Sequence, residues 1–153
     1  MLEVKYTARR LTEREAEYLK VVFNLLSERD AVGSLEVANA LGVSCATASE
    51  TLKKLYEKGM LEREPWRGVN LSERGFKEIS RIIRNHRVFE TYVHKFLSIN
   101  LDDACECASR VEMHLSDKIV DSMCKVLGHP ERCPHNNDIP RGNLCCLRKQ
   151  SQP

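Results

Sequence analysis

His86 and Glu90 stand four residues apart, with His94 four further on, so on a helix the three project from one face. Cys105, Ser109 and Glu112, four and then three residues apart, likewise share one helical stripe downstream. Imidazole, carboxylate and thiol donors gathered this way suit a divalent transition metal. Taken alone, His86 and Glu90 read equally as an ordinary helix-surface pair. The cysteines add weight to the metal reading. There are seven, six of them at or beyond Cys105. An odd number, in a chain whose start MLEVKYTARRLTERE has no apolar core for a secretory signal, argues against a disulfide framework. Metal ligation or redox chemistry is the leading explanation. Cys105-x-Cys107, Cys124, Cys133 and the Cys145-Cys146 pair supply enough thiolates for a Zn or iron–sulfur site, with Cys124, Cys133 and Cys145 or Cys146 as the expected set. Eight residues separate Cys124 from Cys133 and eleven separate Cys133 from Cys145, spacings of no standard zinc ribbon. Free or buried non-ligating thiols are the alternative.

These residues must be held by helices. Thr12 is placed to cap a helix running to about Ser27-Glu28, with Glu15 closing a capping box and Ala16, Leu19, Val22, Phe23 and Leu26 on its apolar side. Ser34 is expected to cap a short helix whose Leu35, Val37, Ala38 and Leu41 pack inward, and which Gly42 ends. After a polar break, Ser44 caps a second helix from about Cys45 to Lys58 with Ala48, Leu52 and Leu55 inward. Met60–Glu64 and Val69–Leu71 then read as a hairpin around Trp66-Arg67-Gly68. Helix, tight turn, helix, hairpin is the pattern of a winged helix-turn-helix, a reader of double-stranded DNA. Its expected DNA-facing residues are Ser34, Ser44, Ala46, Thr47, Ser49, Glu50 and Lys53, with Arg67 on the wing. Glu50 could accept from a cytosine amino group, or simply pair with Lys53 or Lys54. Trp66 is expected to anchor the hairpin rather than touch a base. Ser72 opens a long helix, Glu73 to about Ser98, with Phe76, Ile79, Ile83, Val88, Tyr92, Val93 and Phe96 on its apolar side. Two further helices are expected near 102–115 and 116–127. Residues 1–11 read as an irregular arm, and the tail from Gly128, with four of the five prolines, as largely without regular structure.

At 153 residues the chain can form one domain or two small ones, here divided as 1–72 and 73–153. The fold class is mainly α. Its apolar runs are too short to cross a bilayer, and a cytoplasmic location is the default. The net charge of +2 says little about partners, but its distribution is informative. Between Lys53 and Arg87 there are ten Lys or Arg against five Glu, a basic surface suited to phosphate. No nucleophile–base set or phosphate-binding loop is present, so an enzyme is not expected.

The winged module, the segments NHRVFETYVHKFL and VEMHLSDKIVDSM, and the tail HPERCPHNNDIP together resemble the diphtheria-toxin-repressor, or iron-dependent repressor, family over roughly residues 12–140. The resemblance implies a homodimeric regulator that reads a palindromic operator. It also implies a helical dimerisation and metal-binding domain responding to Fe(II) or Mn(II), in the short form without an SH3-like domain. An ancillary site would use His86, Glu90 and Cys105, the last where His is usual. A principal site would use Glu17, Ser109, Glu112 and Met113. There the chain departs from the pattern: Glu17 replaces Met or Asp, Ser109 replaces Cys or Glu, and Met113 replaces His. A Ser/Met pair is a poor donor set for a hard divalent ion, which favours the first group. The competing function on the same scaffold is an iron–sulfur or redox sensor using the late cysteines.

Overall fold

The computed structural model describes residues 11–142 and 145–146. Nearly all of the expected N-terminal arm and the end of the tail therefore lie outside the described residues. The described elements are α1 (Glu13–Leu25), α2 (Ser34–Leu41), α3 (Cys45–Glu57), β1 (Leu61–Glu64), β2 (Gly68–Leu71), α4 (Glu73–Leu97), α5 (Leu101–Val111) and α6 (Asp117–Val126). The chain forms two compact units, divided within α4 between Ile79 and Ser80.

In the first unit, α1 starts where the sequence provides a cap. Thr12 Oγ1 accepts from Glu15 N, and Glu15 Oε2 accepts from Thr12 N at 2.7 Å. The same carboxylate oxygen also takes Lys58 Nζ at 2.6 Å, tying α1 to the end of α3. Helix α2 begins one residue earlier than expected: Gly33, not Ser34, is its N-cap, and Glu36 Oε2 accepts from Gly33 N at 2.9 Å. Gly42, left-handed at φ 65°, ends α2, and Ser44 Oγ caps α3 through Thr47 N. Ala16, Leu19, Val22, Val37, Ala38, Ala48, Leu52 and Leu55 are buried together with Met60 and Leu61. Leu35, expected inward, is 61% exposed, because it falls between the buried stripes of a helix only two turns long.

β1 and β2 pair antiparallel with Leu61 opposite Leu71 and Glu64 opposite Gly68. Val32 extends the ladder by bridging to Val69. Gly68 is required here: at φ 119° a Cβ would also lie 2.2 Å from the Val32 carbonyl oxygen. Arg67 N closes the hairpin turn onto Glu64 O, with Pro65 and a left-handed Trp66 (φ 63°) at the turn's centre. Trp66 does not anchor the hairpin; the turn holds its indole fully exposed.

In the second unit, α4 contributes Ile82, Ile83, Val88 and Val93, with Ala104 and Ala108 of α5 also buried. Phe76 and Phe96, expected on α4's apolar side, are instead 54% and 46% exposed. Phe76 lies against Phe23, with ring centroids 6.3 Å apart, and Phe96 against Tyr92 at 5.1 Å. Asn85 Nδ2 donates to the Glu112 and Leu115 carbonyls, fixing the end of α5 to α4. Asn100 and Ser116 cap α5 and α6. Val88, Val120, Cys124, Cys133, Ile139 and Cys145 form one apolar cluster. Past α6 the described chain has no regular element, but it is tied down by the Arg132–Asp138 bridge and by Ile139 N donating to Glu131 O.

Candidate metal centres and nucleic-acid interface

The i, i+4 spacing on α4 sets His86 and Glu90, two candidate metal donors, on one face. Glu90 is 1% exposed, which is costly for a carboxylate unless positive or donor groups surround it. His86 Nε2 lies 3.7 Å from Glu90 Oε2 and 3.4 Å from Cys105 Sγ, so the expected His86, Glu90, Cys105 group does converge. His86 Nδ1 meets Glu112 Oε2 at 2.8 Å. Glu90 also receives the segment after α6: His135 Nδ1 is 3.2 Å from the same Oε2, and Cys133 belongs to that second group. Burial pushes the Cys105 thiol up, and the neighbouring Glu90 adds to it. Burial likewise raises Cys133, again with Glu90 adjoining. Two buried carboxylates, two imidazoles and two thiols in one place form an acceptor-rich pocket that suits a divalent cation.

Other expected ligands lie elsewhere. His94 continues the stripe but is exposed, and its Nδ1 contacts Ile99 O at 2.9 Å near the end of α4. Ser109 is exposed and its hydroxyl donates to the Cys105 carbonyl of its own helix. Met113 is half-buried in the turn after α5, and Glu17 is exposed on α1 in the first unit. Of that implied principal set, Glu112 is the member joined to the His86 group.

The expected cysteine set is rearranged. Cys124, Cys145 and Cys146 converge, but Cys133 does not join them, because the Cys-Pro-His turn directs it to Glu90 and His135. His129 occupies the fourth place. The sequence reading missed His129 and His135. The signal for the second was the Cys133-Pro134-His135 tripeptide; for the first it was a His five residues after Cys124, just past a helix-ending Gly128. All four donor atoms lie within 4.8 Å of one another, a spacing that could hold a single ion.

On the DNA-reading side, Ser44, Ala46, Ser49, Glu50, Lys53 and Arg67 are exposed, while Ser34 and Thr47 are half-buried. Ser44 Oγ meets Thr47 Oγ1 at 2.8 Å and Ser34 Oγ meets Cys45 Sγ at 3.3 Å. Glu50 pairs with Lys54 at 2.8 Å, Lys53 with Glu57 at 3.9 Å and Arg67 with Asp30 at 3.1 Å. These are solvent-facing pairs that cost little to exchange for phosphate.

A winged helix-turn-helix followed by a helical unit in which His and Cys donors gather round a buried Glu has the make-up of a metal-responsive DNA-binding regulator. Comparison with known proteins gives the family. Residues 10–69 match the iron dependent repressor N-terminal DNA binding domain, and residues 72–141 match the iron dependent repressor metal binding and dimerisation domain. The chain belongs to the iron-dependent repressor family. It is 30% identical over 128 residues to an uncharacterised HTH-type transcriptional regulator of Aeropyrum pernix, covering 82% of this chain and 71% of that protein. It is 29% identical to the transcriptional regulator MntR of Escherichia coli O157:H7, covering 69% of this chain and 68% of MntR. A solved manganese-dependent transcriptional repressor in complex with manganese superposes with a TM-score of 0.71 at 31% identity, covering 84% of this chain and 59% of that one. The iron–sulfur alternative is not favoured by these relatives. Among the described residues, no helix is long and apolar enough to cross a membrane.

Proposed function

We propose that this chain is a homodimeric, Fe(II)- or Mn(II)-activated repressor of a palindromic operator, working in the cytoplasm. Residues 1–72 would read DNA, and 73–153 would dimerise and sense metal. The observation that carries the reading is the buried Glu90 carboxylate, which is shared between His86 with Cys105 on one side and His135 with Cys133 on the other. His86, Glu90 and Cys105 would hold the ion, joined by Cys133 and His135. Glu17, Ser109, Glu112 and Met113 form the second set that the family resemblance implies. Imidazole and thiol donors weight the first set toward Fe(II) over the harder Mn(II). A bound divalent ion supplies the positive charge that this donor set lacks. It would favour the chain conformation that holds those donors together, and so bias a conformational equilibrium.

On the DNA side, Ser44, Ala46, Thr47, Ser49 and Glu50 would approach base edges at the start of α3, with Ser34 and Lys53 on phosphates and Arg67 on the wing. A two-fold dimer would present two such helices to successive major grooves. The test is operator binding by the anaerobically purified protein across separate Fe(II) and Mn(II) titrations, for the wild type and for His86→Ala with Glu90→Gln. The wild type should tighten with metal and the double variant should not, while both keep the same helical circular dichroism. Metal-independent binding by the wild type overturns the proposal.

A further inference from the structure

The second donor cluster is separate from the Glu90 pocket and has a different character. Cys124 closes the last turn of α6, and His129 follows Gly128 just beyond it. Gly128 (φ 76°) and His129 (φ 59°) are both left-handed, and His129 N donates to the Cys124 carbonyl at 2.9 Å. A non-glycine residue in this region is uncommon and is held there by its surroundings. Here the conformation turns the imidazole back to the helix it has just left. His129 Nδ1 lies 3.6 Å from Cys124 Sγ, 3.5 Å from Cys145 Sγ and 3.9 Å from Cys146 Sγ. Cys124 Sγ and Cys146 Sγ are 3.9 Å apart. A tetrahedral Zn(II) with ordinary bond lengths requires about 3.8 Å between sulfurs and about 3.6 Å between sulfur and nitrogen. We propose that Cys124, His129, Cys145 and Cys146 form a closed structural Zn(II) site that pins the Cys145-Cys146 segment to the end of α6.

The surroundings match that charge. Three thiolates and a neutral imidazole around Zn(II) carry a net charge of −1 (+2 − 3). Arg84, 6% exposed, lies beside them: its Nη2 pairs with Asp121 Oδ1 at 2.8 Å, and its Nε has no hydrogen-bond partner among the described residues. The Gly142 backbone and the Arg84 side chain both lie within reach of the Cys146 sulfur, so positive charge and a backbone donor border the cluster. Four protein donors leave no coordination position open, so the site holds structure and is not the sensor.

The experiment uses the full chain in a Cys105→Ser, Cys133→Ser background, which removes the thiols of the Glu90 pocket. After stripping with chelator under reductant, it is titrated with Zn(II) and, separately, with Co(II). About one equivalent of Zn(II) should bind per chain, and Co(II) should show tetrahedral d–d bands with thiolate-to-metal charge transfer. Adding Cys145→Ser with Cys146→Ser should bring both to near zero. His129→Cys should keep the stoichiometry and shift the Co(II) spectrum toward four sulfurs, a readout that does not depend on a deletion variant folding. Charge transfer that survives the double serine change overturns the site. So does a His129→Cys spectrum identical to that of its parent, or a Cys124–Cys146 disulfide in anaerobically purified protein.

Discussion

His86 Nδ1 lies 2.8 Å from Glu112 Oε2, joining the middle of α4 to the C-terminal end of α5. This contact leaves Nε2 turned toward Cys105 and Glu90. A buried carboxylate on one ring nitrogen fixes both the tautomer and the orientation of the other, an arrangement that strengthens metal-ligating histidines. Glu112→Gln keeps the shape and removes the charge. The metal concentration giving half-maximal operator binding should rise about 10- to 100-fold, as loss of a carboxylate orienting a histidine ligand does elsewhere. An unchanged midpoint would separate Glu112 from the sensing chemistry.

Ser109 and Met113 test the opposite expectation. Ser109 is exposed and its hydroxyl is spent on the Cys105 carbonyl, while Met113 is a half-buried thioether in a turn. Ser109→Ala should therefore leave metal-dependent operator binding unchanged and stability within about 0.5 kcal/mol. A ten-fold loss of metal response in either Ser109→Ala or Met113→Leu would restore them to the metal site.

Glu15 sets an acid limit on the winged unit. Burial raises its carboxyl, but hydrogen bonds from Lys58 and Thr12, with the Lys58 charge, outweigh that and hold it below the ordinary 4.5. A depressed folded-state value means the unfolded chain binds the proton more readily. The stabilisation is thus fully present above pH 4.5 and is lost as pH falls through the lower folded value. Glu15→Gln should lower the stability of the protein at pH 7 by about 2 kcal/mol, since it weakens both the cap and the ion pair. It should also flatten the acid side of the stability curve in chemical denaturation. An acid limb of unchanged slope would assign the pH dependence to other carboxylates.

Most of the winged module was legible because its elements begin and end on local signals, although α2 starts from Gly33 rather than the expected Ser34. Thr12 with Glu15, Gly42, Ser44 and the Pro65–Gly68 turn act within a few residues, so spacing alone reveals them. The donor sets depend on how distant segments fold back, and there spacing misled. Cys124 and Cys133 looked like partners by type, yet the turn at Cys133-Pro134-His135 sends the second to Glu90, 43 positions earlier in the sequence. His129 was overlooked because nothing in the spacing shows that the chain turns back after Gly128 to bring its ring to Cys124. His94 shows the converse: it is in phase with His86 and Glu90 but exposed near the end of α4, where its ring turns to the Ile99 carbonyl.

Trp66 gives the wing its own reporter. It is the chain's single tryptophan, fully exposed, and held left-handed at the tip of the hairpin. Bulky residues adopt that conformation at a cost of about 1–2 kcal/mol, so an indole is an expensive choice for a turn that glycine would fill freely. Among the described residues nothing packs against the ring to offset that cost. An aromatic plane beside Arg67 is well suited to lie against the sugar–phosphate backbone of a bound duplex. In the free protein, emission should therefore be that of a water-exposed indole, and it should be quenched or blue-shifted when operator DNA is added with metal. Trp66→Gly should raise thermal stability slightly and weaken operator binding several-fold, with the metal midpoint unchanged. Emission indifferent to saturating operator would mean that the hairpin tip stays clear of the DNA, leaving α3 to carry recognition alone.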